Sequence, residues 1–206
     1  MKALFEHWKS FLEETKGGTI LAIFGPSGSG KSRQKNIFKS HGWDEIVSYV
    51  TRPPRGETDI EYEFATEEGW REESEKGNLV NTNQYGGNFY GTKITDFRHA
   101  NKAILVTDIT NINGSRGEED LKNVAIKEGK NLILLFSAPP PEKELVRRHL
   151  KRLESGEYGG AAELKDRLLK ARQEAEEMRG QVKELGTLVH TIYNDEDAER
   201  LAEELV

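Results

Sequence analysis

Short, unbroken apolar runs at residues 19–24, 102–109 and 131–136 have the composition of strands buried on both faces, as in a parallel sheet. Shorter strands are predicted at 46–50, 61–64 and 188–193, and a hairpin at 79–90 with Gly86, Gly87 and Asn88 at its turn. Helices are predicted over residues 3–15, 31–40, 66–76, from Glu142 onward, over 161–185 and over 198–205. Leu4, Trp8, Phe11 and Leu12 give the first of these an apolar stripe, which suits packing on its own domain, with docking to a partner as the alternative.

Strand and helix alternate, so the fold class is α/β, a parallel sheet core with helices on both faces. Residues 49–95 break that rhythm and predict a small β-rich insertion. The division expected is one domain over 1–206: core at 17–48, 100–147 and 186–206, insertion at 49–95, helical lid at 148–167, and an extra N-terminal helix at 2–16. A chain of 206 residues suits one such domain. Its net charge of −6, spread through the helices, argues against a nucleic-acid-binding surface. Without cysteine it has no disulfide or thiolate metal site. No apolar stretch reaches membrane-spanning length, and the amphipathic N-terminus is unlike a secretory signal, so a cytoplasmic protein is expected. His7, His41, His99, His149 and His190 show no metal-ligand spacing and are read as structural or exposed.

The chemistry is concentrated at Gly25-Pro26-Ser27-Gly28-Ser29-Gly30-Lys31-Ser32, which fits G-x-x-x-x-G-K-[ST] between a buried strand and a helix. Such a loop turns backbone N–H groups toward the phosphates of a nucleoside triphosphate, and the lysine reaches along the phosphate chain. Ser32 would offer its hydroxyl to Mg²⁺. Downstream, Thr51-Arg52-Pro53-Pro54-Arg55 holds two guanidiniums on a stiffened loop, suited to a second phosphate-bearing ligand; a solvated turn is the bland alternative. Asp108 closes a strand where a carboxylate can hold Mg²⁺, directly or through water, or can cap the following segment. Arg147, Arg148, Lys151 and Arg152 form a basic run before the Gly-rich break at 156–160, and Arg167 follows. That run reads as a solvated face or, with the flexible tip, as a lid closing over phosphates.

In this order, the phosphate loop, Thr51-Arg52-Pro53-Pro54-Arg55, Tyr62, Gly87-Asn88-Phe89-Tyr90-Gly91-Thr92, the arginine-bearing helices and Asn194-Asp195, the chain resembles guanylate kinase from Gly18 onward. The resemblance implies an ATP-dependent phosphotransferase acting on GMP or dGMP with Mg²⁺, as monomer or homodimer. It implies that Arg52, Arg55, Tyr62 and Tyr90 grip the acceptor phosphate, with Ser48 and Thr92 near it or its base. Lys31, Arg148, Arg152 and Arg167 would neutralise charge during transfer, and Asn194 would lie beside adenine. Two positions depart from the family: Asn81 stands where it has a guanine-reading glutamate, and Val106 where it has an aspartate. The lid between Arg152 and Arg167 is also a few residues longer. An amide offers one acceptor oxygen where a carboxylate offers two, so these departures bear on the base and leave the phosphate machinery intact. A kinase for another or a modified nucleoside monophosphate, and a non-catalytic binding module, are the alternatives; the complete phosphate loop speaks against the second.

Overall fold

A computed structural model describes residues 17–54, 62–113, 120–185 and 189–205, so the predicted N-terminal helix and Arg55 lie outside the described residues. Five parallel strands form the core in the order β2-β7-β1-β8-β9: β1 (Thr19–Phe24), β2 (Asp44–Glu45), β7 (Lys102–Val106), β8 (Asn131–Ser137) and β9 (Val189–Ile192). Strand alternation divides β1 between two cores. Ile20, Ala22 and Phe24 pack on one face with Phe97, Leu105, Ile112, Leu121, Val124 and Met178. Leu21 and Ile23 pack on the other with Phe38, Trp43, Ile104, Ile133, Leu135 and Leu201. The second core is roofed by α1 (Lys31–Ser40) and α8 (Asp195–Glu204); the first by α3 (Ile94–His99), α4 (Ile109–Asn113), α5 (Leu121–Lys127) and one stretch of α7 (Ala161–Leu185).

A second, four-stranded sheet has the order β4-β3-β6-β5, built from β3 (Ser48–Val50), β4 (Tyr62–Phe64), β5 (Leu79–Tyr85) and β6 (Asn88–Lys93). Helix α2 (Glu67–Glu75) links β4 to β5; Thr66 caps it by accepting from the Gly69 amide, and Trp70 is its buried anchor, stacked on Phe89 at 5.1 Å. The strand expected at 46–50 is therefore only Ser48–Val50, which joins the smaller sheet, while Ile46 and Val47 lie in no strand. The Ile46 amide still donates to Ile104 O of the core, whereas Ser48 pairs with Thr92 of the smaller sheet. An apolar run this short carries no mark of which sheet it joins. Two boundaries also move: the strand expected at 102–109 stops at Val106, and the last helix begins three residues earlier, at Asp195. Among the described residues no helix is long and apolar enough to cross a membrane.

Candidate active site

All five core strands run the same way, so the turns that follow them gather at one edge of the sheet. The phosphate loop follows β1, Asp108 follows β7, and Asn194 follows β9. Two glycines fix the loop's path. Gly25 sits at φ 154°, and a Cβ there would lie 2.4 Å from Ser137 O of the neighbouring strand; Gly28 sits at φ 78°, against Leu145 and His149 of α6 (Glu142–Glu154). Gly30 then opens α1 with no side chain capping it, which leaves the first amides of that helix for an anion.

A cleft of about 500 Å³ lies between this loop, the smaller sheet and α7. Gly25, Ser27, Lys31, Asp108, Arg152 and Arg167 line it from the phosphate loop, the end of β7 and the helices α6 and α7; Ser48, Arg52, Tyr62, Asn81 and Tyr90 line it from the smaller sheet and its edge. Lys31 and Arg52 thus face a common space although they come from different sheets. Lys31 Nζ donates to Gly25 O at 2.6 Å and Pro26 O at 3.0 Å. Burial pushes its pKa down to about 8; Glu174 and Asp108 oppose that shift and Arg152 adds to it. Arg52 is buried, its guanidinium 4.3 Å from the Tyr62 ring centre and 5.3 Å from that of Phe64, with Nη1 donating to Pro53 O. The aromatic walls fix the direction of its planar fork.

Other expected residues lie off the cleft wall. Arg148 donates through Nη1 to Gly28 O and Ser29 O and pairs with Glu144, so it braces the phosphate loop from outside. Ser32 is exposed at the start of α1, and Ser29 is buried within the loop. Thr92 is almost fully buried and accepts from Asn81 Nδ2. Asn194 caps α8 through the Asp197 amide at 2.8 Å, and the neighbouring Asp195 pairs with Arg33 of α1 at 2.5 Å. Asp108 Oδ1 accepts from the amide and hydroxyl of Thr110, so the capping role is present in the fold while the residue still lines the cleft.

Two residues of the site, Glu174 and Tyr85, gave no signal in the sequence. Glu174 accepts from the Ser27 amide at 2.9 Å, tying α7 to the phosphate loop, but it is one acid among many on that helix. Tyr85, at the hairpin tip, lies under Lys170 of α7, with Nζ 3.8 Å from the ring centre. His149 is fully buried beneath the loop and bonded to Tyr158 at 2.8 Å, a structural role as expected. Asn81 stands in the left-handed region at φ 54°, beside the irregularity in the β5–β6 pairing. Its amide meets Thr107 and Asn111, residues of the core that its sequence neighbours do not announce.

The family model for guanylate kinase matches residues 17–185. Guanylate kinase from Syntrophus aciditrophicus is 34% identical over 170 residues, spanning 79% of this chain and 75% of that protein. The enzyme of the same name from Streptococcus mutans is 39% identical over 83 residues, 38% of this chain and 40% of its own length. The crystal structure of guanylate kinase from Anaplasma phagocytophilum superposes with a TM-score of 0.59 at 19% identity, covering 93% of this chain and 86% of that one, a likeness of fold. With a phosphate loop and an aromatic-walled arginine facing one cleft, and a family match over most of its length, the chain belongs to the guanylate kinase family.

Proposed function

We propose that this protein transfers the γ-phosphoryl group of ATP to GMP or dGMP, giving two diphosphates. The observation that carries the reading is the shared cleft: a triphosphate cradle at Lys31 and a second anion grip at Arg52, Tyr62 and Tyr90 open into one space. Transfer between two phosphates needs no general base, because the acceptor oxygen is already ionised; positioning and charge neutralisation suffice. Lys31, Arg152 and Arg167 supply the cations at the point where the cleft joins loop and lid. Lys31 lies folded on its own loop and swings outward when a phosphate oxygen replaces the two carbonyls it now contacts.

Ser32, at the start of α1, and the remaining oxygen of Asp108 would offer a sparse set of oxygen donors, of the kind suited to a Mg²⁺ ion held chiefly by substrate phosphates. Bound there, the ion would neutralise charge on the β- and γ-phosphates. Among the described residues no group of three or more His, Cys, Asp or Glu is placed to hold a metal ion.

Cytoplasmic location and a monomeric or dimeric state belong to this proposal. Its test is a coupled assay of ADP formation with ATP, Mg²⁺ and GMP, against a control without acceptor. GMP-dependent ADP release is expected; ADP release that ignores the acceptor would overturn the reading.

A further inference from the structure

The inner wall of the acceptor half of the cleft is made by Asn81 and Thr107, backed by Thr92 and Asn111. All four side chains are more than nine-tenths buried. An asparagine amide offers two acceptor and two donor positions. At Asn81 each of the four is used within the protein. Oδ1 accepts from Thr107 Oγ1 and, at 2.9 Å, from Asn111 Nδ2. Nδ2 donates to Thr92 Oγ1 at 3.2 Å and, more weakly, toward Val106 O at 3.5 Å. The backbone supplies a second reason for this residue. At φ 54° asparagine is among the side chains that best tolerate the left-handed region, which a longer acid occupies at greater cost.

Strong discrimination by a binding site comes from buried polar groups that the wrong substrate leaves unpaired, and it reaches about 10⁴–10⁵. No such penalty arises here, because the polar groups of this wall pair with one another whatever base lies against them. Val106, the neighbouring side chain on the wall, has no polar atom to leave unpaired. At this wall what remains is discrimination by shape, about ten- to a hundredfold for a methylene-sized difference in fit.

We infer that the acceptor site selects by the phosphate and the shape of the base, and that a pyrimidine nucleoside monophosphate is turned over alongside the guanine one. This rests on the kinase reading above. The test is the coupled assay with the native chain, ATP and Mg²⁺, comparing kcat/KM for GMP, dGMP, AMP, CMP, UMP and dTMP. At least one pyrimidine within about a hundredfold of GMP is expected. Every pyrimidine falling below that limit while GMP is turned over would overturn the inference and leave the kinase reading standing. No acceptor-dependent ADP release with any of the six would instead remove the kinase reading, and the inference with it.

Discussion

Glu174 Oε2 accepts the Ser27 amide hydrogen at 2.9 Å, joining α7 to the phosphate loop across 147 positions of the chain. The same carboxylate holds charge on Lys31 against the effect of burial. Glu174→Ala therefore removes a charge-assisted bond and costs about 1–3 kcal/mol of stability, measured by urea unfolding. Glu174→Gln keeps the shape and loses the charge, so Lys31 gives up its proton at lower pH. The alkaline limb of kcat/KM for ATP shifts downward in that variant; a limb that stays in place would separate the carboxylate from Lys31.

Lys31 itself sets two opposing pH dependences. Its pKa in the fold is about 8, against 10.5 for the free side chain, so between those values the unfolded chain binds more protons than the folded one. From this group, the stability of the nucleotide-free protein rises with pH across that window. With ATP as the proposed donor, its affinity should run the other way and fall as pH rises through about 8, because the phosphates need the charged lysine. Lys31→Met should remove both trends and lower turnover by about a hundred- to a thousandfold, with the fold retained by circular dichroism.

Arg52 is held over the rings of Tyr62 and Phe64, and that setting suits a planar fork. Arg52→Lys keeps the charge but not the fork, so it restores little of what Arg52→Ala loses. Both should lower kcat/KM for the monophosphate by about ten- to a hundredfold, the value of a hydrogen bond to a charged group, with little change in the KM for ATP. An equal loss for both substrates would place Arg52 outside the acceptor half.

Tyr85 and Lys170 close the cleft between the hairpin tip and α7. A cation–π contact at an exposed site is worth about 0.5–1 kcal/mol. Tyr85→Ala and Lys170→Ala should each raise the acceptor KM about two- to fivefold, and the double variant should do no worse than either. Additive losses in that cycle would show that the two side chains act separately.

The core was legible in the sequence because it rests on local patterns. The apolar runs at β1, β7 and β8 and the glycine spacing of the phosphate loop each predict their element without reference to the rest of the chain. What escaped was non-local. The run at 46–50 holds Ile46, buried under the core sheet, and Ser48, paired in the other sheet, and nothing within five residues marks the transfer. Asn81 reads as a base contact by position, but its partners Thr107 and Asn111 lie 26 and 30 residues away. Arg148 reads as a lid cation, yet the loop carbonyls it serves are about 120 residues upstream.

Asn81 belongs to the smaller sheet, while Thr107 follows β7 of the larger one and Asn111 lies on α4 beside it. The paired amide is therefore also a rivet across the seam between the two. If the smaller sheet swings outward to release a diphosphate, the Tyr85 edge can part while the Asn81 side stays fixed. The mouth then opens like a hinged jaw from the hairpin tip, with its pivot at the residue that lines the deepest wall.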